Sequence, residues 1–234
     1  MFRFKQFTVD QTGCAMKINT DGVLLGSMAE ADNPEFILDI GTGTGVIALM
    51  LAQRFTGAMI DAVEIDADAA RTAGRNFSDS PFADRLQVFS TGFEQYFEKN
   101  PDKKYDLIVS NPPFYIDSLK SPGIKTNLAK HTDIDFFKRL IGNVTAHLSP
   151  AGVCWLVLPV NLEEIIGEYA EENCLYQPQR ILIRSYAGLA PHRMIISLSA
   201  IYTSFVEGEI TIYESKGVYS EVYRNLLQPY FLAF

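Results

Sequence analysis

The chain has 234 residues, of which 47% are hydrophobic, 12% aromatic and 21% charged, enough for one α/β domain with a full core and unlike a disordered or collagen-like chain. With 20 Lys and Arg against 28 Asp and Glu the formal net charge is −8, so any nucleic-acid contact must come from local basic patches. No apolar run approaches the roughly 18 residues of a membrane span, and the opening Met-Phe-Arg-Phe-Lys-Gln turns polar too early for a signal peptide, which predicts a cytoplasmic protein.

In chain order, residues 1–33 hold two short β-like pieces, Phe2–Val9 and Cys14–Ile18, and a predicted helix Thr20–Glu30 capped by Thr20 or Asp21. This segment is too small for a domain and is expected to cap one end of a sheet. From residue 34 to 203, β-rich runs alternate with helical patterns. The runs are Phe36–Ile40, Met59–Ile65, Leu86–Phe89, Tyr105–Ser110 and Val153–Leu158, and the helices are Thr44–Arg54, Ala67–Ser78, Phe93–Lys99, Asp135–His147 and Asn161–Glu172. Arg180–Tyr186 and Arg193–Tyr202 read as a closing hairpin around Gly188 and Pro191. The pattern predicts a Rossmann-like α/β fold: a mostly parallel seven-stranded sheet ending in an antiparallel hairpin, with helices on both faces. Residues 204–234, with a strand-like Glu209–Tyr213 and a helical Ser220–Leu227, are expected as an appendage to this single domain. Cys14, Cys154 and Cys174 are odd in number and lack a Cys-x-x-Cys pair, which favours reduced thiols and no metal.

The sharpest local signal is Leu38-Asp39-Ile40-Gly41-Thr42-Gly43-Thr44-Gly45-Val46, a buried strand entering a glycine-rich turn and a helix. Glycines let a backbone approach a ligand, and the helix start beyond them offers free N–H groups. A dinucleotide fingerprint wants a third glycine at position 46, where this chain has Val46, so NAD and FAD are disfavoured. The next strand ends in Glu64, 19 residues after Gly45, placed to accept the ribose hydroxyls of an adenosine. Together these point to S-adenosylmethionine, whose sulfonium tolerates an acidic pocket. The second signal is Asn111-Pro112-Pro113-Phe114, directly after the fourth strand. The prolines fix an extended, donor-free turn, so that the Asn111 amide oxygen and the Pro112 carbonyl can accept from a planar amino group while Phe114 stacks on its ring. No metal or covalent nucleophile is needed for such chemistry.

The glycine turn, Glu64 and the Asn-Pro-Pro-Phe tetrad resemble the amino-group branch of the class I S-adenosylmethionine-dependent methyltransferases. The opening Phe7-Thr8-Val9-Asp10-Gln11 and the stretch from Cys14 through Asn19-Thr20-Asp21-Gly22 to Gly26 narrow the resemblance to the bacterial tRNA1(Val) adenine-37 N6-methyltransferases, and it runs on to Pro191-His192-Arg193 and Tyr219-Ser220-Glu221. It implies that Asp39, Gly41 and Gly43 line the methionine end of the cofactor, that Glu64 holds its ribose, that Lys17, Thr20 and Asp21 close over it, and that Thr42, Gly45, Ile65 and Gly92 also belong to the cofactor site. Phe93, with backbone or other apolar contacts, would hold the adenine, and Asn111 to Phe114 would hold the target amine, with Asn111 also at the cofactor. The family commonly carries an acid after the third strand to accept from the cofactor adenine; this chain has Ser90-Thr91-Gly92-Phe93.

Lys17, Lys125, Lys130 and Arg193 are candidate phosphate contacts for a tRNA, whereas the five glutamates in 161–172 should face away from it. His131 is either an RNA contact or a solvated side chain, His147 a helix C-terminal cap, Trp155 core, and Tyr219, Tyr223, Tyr230 and Phe231 packing residues. Other acceptors offering a planar amine (guanine N2, a glutamine amide, DNA adenine), or a non-catalytic RNA-binding module, are the alternatives.

Overall fold

The computed structural model describes residues 1–112 and 124–234, the side chains of 124–134 excepted. Among the described residues the chain builds a nine-stranded sheet and a separate two-stranded ribbon. The ribbon pairs β1 (Phe2–Arg3) with β2 (Thr8–Val9). In the main sheet, β3 (Phe36–Ile40), β4 (Met59–Glu64), β5 (Leu86–Ser90), β6 (Tyr105–Ser110) and β7 (Leu148–Pro159) are mutually parallel, in the spatial order β7-β6-β3-β4-β5. Their C-terminal ends therefore share one edge.

The near-continuous apolar character of these strands follows from burial on both faces. One face is covered by α1 (Thr20–Met28), α2 (Val46–Arg54), α3 (Ala67–Ser78) and the short C-terminal α7 (Glu221–Leu227), through residues such as Leu24, Leu49, Phe77 and Leu227. The other face is covered by α4 (Phe93–Lys99), α5 (Ile124–His147) and α6 (Glu163–Glu172), through Phe97, Leu140 and Ile166. Trp155 lies in the first of these cores with its Nε1–H donating to the Glu30 carbonyl at 2.9 Å. His147 ends α5 with its ring stacked on Phe97 and Nδ1 2.8 Å from the Asn143 carbonyl. Among the described residues no helix is long and apolar enough to cross a membrane.

The parallel sheet, the antiparallel hairpin and the two helical layers are as the sequence pattern predicts. The hairpin is β8 (Gln179–Tyr186) and β9 (Arg193–Ser199), with β9 inserted antiparallel between β7 and β8. The sheet is wider than the seven strands expected. β10 (Val206–Ser215) pairs in parallel along β8, and β11 (Val218–Tyr219) returns against β10, so residues 206–219 continue the main sheet and satisfy the outer N–H and C=O groups of β8.

Three local readings differ. Cys14–Ile18 forms no strand, because the Ile18 N–H is taken by the Gln11 side chain (2.8 Å) and not by a neighbouring backbone. α1 is capped by Asn19, whose Oδ1 accepts from the Gly22 N–H at 2.8 Å, and not by Thr20 or Asp21. α5 begins at Ile124, eleven residues before the predicted Asp135, through a polar stretch that contains no Gly or Pro to stop a helix but also no apolar stripe to announce one.

Candidate active site

β3 ends at Ile40 and the chain turns through three left-handed glycines, Gly41 (φ +73°), Gly43 (φ +55°) and Gly45 (φ +83°). The Gly41 and Thr42 N–H groups both donate to the Val63 carbonyl, at 2.9 and 3.1 Å, which moors the turn to the end of β4. The three glycines do different work. A Cβ on Gly41 or Gly43 would have no neighbour within 4 Å, so these two border open space. A Cβ on Gly45, the cap of α2, would lie 2.5 Å from Cε1 of the buried Phe77 ring. Gly45 thus serves the packing of α2 on α3, and the concavity belongs to Gly41 and Gly43.

Asp39, expected to line the cofactor, lies under this turn with no accessible surface and braces it from below. The Thr42 hydroxyl donates to its Oδ2 at 2.6 Å, and Oδ1 has no hydrogen-bond partner among the described residues. Burial, aided by the nearby Glu64 carboxylate, pushes the Asp39 pKa up to about 7. The unfolded carboxyl ionises near 3.9. Between these values the folded chain holds a proton that the unfolded chain has released, so stability falls as pH rises through that window. Asp39→Asn removes the titration. Its melting temperature minus that of the wild type is expected to grow from about pH 4 to pH 7, by the equivalent of a few kcal/mol, and a difference independent of pH contradicts the assignment.

At the end of β4, the Glu64 carboxylate is 9% exposed and fixed by two backbone donors, Gly43 N–H to Oε2 (2.8 Å) and Asp66 N–H to Oε1 (2.9 Å). Each oxygen keeps lone-pair capacity for a further donor. The next residue, Ile65, is 79% exposed, and its Cδ1 lies 3.6 Å from where a Cβ of Gly92 would sit, beyond the end of β5. The Glu94 Oε2 comes equally close to that position, at 3.6 Å, while its Oε1 accepts from Arg139 Nε at 3.1 Å. An apolar side chain and a carboxylate therefore meet at Gly92. Phe93 differs from its expected place: its ring is turned into the core against Phe97 and Phe136 and is only 6% exposed.

The N-terminal segment is strapped across this edge. Asn76 of α3 accepts from the Asp10 N–H and donates to the Asp10 and Thr44 carbonyls, while the Thr72 hydroxyl donates to the Thr12 carbonyl. Asn76 so ties the strap to the glycine turn itself, a role that its place inside an ordinary amphipathic helix does not signal. The strap then leads past the exposed Lys17 into α1. Gly26 seats α1 on α2, since a Cβ there would meet Met50 Sδ at 3.0 Å.

Asn111 follows β6, whose last residue, Ser110, donates its hydroxyl to the Ile40 carbonyl at 2.8 Å and so locks the ends of β6 and β3 together. Asn111 is half-buried and Pro112 buried. A Cβ on Gly22 would lie 3.7 Å from Asn111 Nδ2, which sets the first turn of α1 directly beside the amide. Thr20 and Asp21 share that turn, and Asp21 Oδ2 accepts from Arg193 Nε at 3.2 Å. Arg193, proposed from the sequence as a phosphate contact, is engaged with Asp21. Pro113, Phe114 and the side chains of Lys125, Lys130 and His131 lie outside the described residues.

Residues 14–165 match the methyltransferase small domain family. The chain is 47% identical over 233 residues to a tRNA1(Val) (adenine(37)-N6)-methyltransferase of Pedobacter heparinus, covering 100% of this chain and 98% of that one. It is 43% identical to a protein of the same name from Parabacteroides distasonis, covering 99% and 97%. In fold it is similar to a predicted O-methyltransferase from Agrobacterium tumefaciens, with TM-score 0.66, 18% identity and coverage of 90% and 96%. A ribosomal protein L11 methylase from Lactobacillus delbrueckii gives TM-score 0.54 at 19% identity, covering 80% of this chain and 82% of that one.

Proposed function

This chain belongs to the tRNA1(Val) (adenine(37)-N6)-methyltransferase family, and we propose that its strand-end cleft transfers a methyl group from S-adenosylmethionine to the N6 amine of adenine 37 in the anticodon loop of that tRNA. The observation that carries this reading is the shared edge: the Gly41 and Gly43 concavity, the fixed Glu64 carboxylate and Asn111 lie on the ends of adjacent strands β4, β3 and β6.

The residues fit the cofactor. Gly41 and Gly43 would give its methionine end backbone to lie against, Glu64 would accept from the ribose hydroxyls, and Ile65 would border the adenine. Glu94, held by Arg139, would supply beside Gly92 the acceptor for the adenine amine that the Ser90-Thr91-Gly92 stretch lacks. When bound, S-adenosylmethionine supplies a methyl group on sulfur and leaves as S-adenosylhomocysteine. The target N6 is a weak nucleophile because its lone pair is delocalised into the ring. By accepting its two hydrogens, the Asn111 amide oxygen and the Pro112 carbonyl hold the amine where the pair can be directed at the methyl carbon, and the surplus proton leaves to solvent.

A loop adenine suits a recessed cleft, since an unpaired base leaves its stack cheaply. Phosphate contacts fall to Lys17 and, from their place in the sequence, Lys125 and Lys130; so few cations predict a shallow dependence of affinity on salt.

The test is methyl transfer from labelled cofactor to the isolated tRNA and to the same tRNA with guanosine at position 37. Transfer to the first alone is expected. Transfer to duplex DNA or protein with none to tRNA overturns the substrate. In the same assay set, Glu64→Ala should weaken cofactor binding by about 1.5 to 3 kcal/mol by calorimetry, the scale of hydrogen bonds to a charged group; unchanged affinity removes Glu64 from the site.

A further inference from the structure

Four tyrosines form a continuous row of ring contacts at the end of β8, β10 and β11, stacked from Tyr213 through Tyr219 to Tyr223, with Tyr186 tilted 30° against Tyr213. Tyr186, Tyr213 and Tyr219 are direct cross-strand neighbours, in the register Tyr186↔Tyr213↔Tyr219. Their ring centroids are 5.4 and 4.9 Å apart, and Tyr223 of α7 continues the stack 4.8 Å beyond Tyr219 at an interplanar angle of 12°. Tyr219 is sandwiched between two rings and Tyr223 is 2% exposed, so these are packing residues, as their spacing in the tail suggested. The other end of the stack is different. Tyr186 is half-buried, and Tyr213 is its one ring partner among the described residues. It opens the exposed Ala187–His192 turn, in which Leu189 is 52% exposed.

β8 and β10 run parallel to the central strands, since β9 is antiparallel to both β7 and β8. Tyr186 therefore stands on the same edge as Asn111. In the order β8-β9-β7-β6 three strand spacings, about 15 Å, separate their strands, and the register, in which Ser110 is level with Arg180, sets Tyr186 about five residues, roughly 16 Å, farther along the strand direction than Asn111. The resulting separation of roughly 20 Å suits three or four nucleotides of an extended single-stranded loop. The carboxylates below the row are partly neutralised, since Arg180 pairs with Glu163 and Glu207, and Arg184 with Glu209. All of this lies beyond residue 165, where the match to the general methyltransferase domain ends.

We propose that Tyr186, the terminal ring of this row, is a platform on which a loop base a few nucleotides from the target adenine stacks; the proposal rests on RNA being the substrate. A ring already backed by Tyr213, Tyr219 and Tyr223 is held in place before the base arrives, and stacking on it is tolerant of base identity. The platform sets loop placement and not the methyl transfer itself, so it acts on binding of the tRNA.

The experiment uses the full chain and an anticodon stem-loop hairpin carrying the fluorescent base 2-aminopurine at one loop position at a time. Stacking on Tyr186 should quench one loop position a few nucleotides from the target on binding, and Tyr186→Ala should abolish that quench. The same variant should raise the KM for tRNA roughly tenfold to a hundredfold while single-turnover rate at saturation, cofactor Kd and Tm hold within about twofold or a few degrees. Tyr186→Phe and Tyr186→Trp should restore the KM, because the ring and not the hydroxyl is used. An unchanged KM in Tyr186→Ala, or a loss that follows Tm and cofactor Kd together, overturns the platform. If the wild type methylates no tRNA, the substrate reading fails first, and the two failures are told apart.

Discussion

Asn111→Ala is expected to lower single-turnover methyl transfer by about a hundredfold or more while changing cofactor affinity little. The reason lies in what the amide acts on. Removing a preorganised acceptor that engages the target amine as its lone pair is freed forfeits stabilisation present in the transition state, and losses of this kind are typically hundredfold to thousandfold in rate. The surroundings survive the change, because the end of β6 is held by the Ser110 hydroxyl on the Ile40 carbonyl and not by the Asn111 side chain. Rapid-quench measurement at saturating cofactor and tRNA reads the effect directly. A wild-type rate in the variant makes Asn111 a loop-shaping residue. Asn111→Asp is the informative partner: it keeps the acceptor oxygens but puts a charge beside Gly22 and the first turn of α1.

Gly45→Ala is expected to cost folding stability on the order of 2 to 5 kcal/mol, against about 1 to 2 kcal/mol for Gly41→Ala. Both positions are left-handed, which charges a Cβ roughly 1 to 2 kcal/mol in either case. Only at Gly45 does the added methyl also strike a buried ring, 2.5 Å from Phe77 Cε1, and overpacking of that kind costs a further 1 to 3 kcal/mol. Neither α2 nor α3 can step aside cheaply, since α2 is buried along most of its length. Urea unfolding followed by circular dichroism measures both variants. Equal losses would mean that Phe77 rotates out of the way. The pair also separates fold from site: Gly41→Ala, whose methyl enters open space, should cost more in cofactor affinity than in stability, and Gly45→Ala the reverse.

The signals that local chemistry writes into a chain were legible before any coordinates. The alternation of buried strands and amphipathic helices requires a parallel sheet covered on both faces, because such strands have no other way to bury both sides. The Gly41-x-Gly43-x-Gly45 turn, Glu64 and Asn111-Pro112 announce themselves because positive φ, a strand-end carboxylate and a proline-locked acceptor each demand particular residue types at fixed spacing. What depends on contacts between distant residues was not legible. The division of labour among the three glycines is set by Phe77, more than thirty residues away, which no local pattern connects to Gly45. Asp39 proved to be a brace and Phe93 a core ring because neighbouring elements decide which side of a strand end is covered. The Glu94 carboxylate, whose Oε2 lies 3.6 Å from a Cβ position on Gly92, has its Oε1 held by Arg139 of α5, a partner that no local pattern connects to it. The widening of the sheet by β10 and β11, and the tyrosine stack it creates, needed the pairing register, since an edge strand and an appended strand carry the same alternation in sequence. Residue types fix which local conformations and chemistries are available to this chain, and packing between segments far apart in sequence decides which of those groups face the cleft.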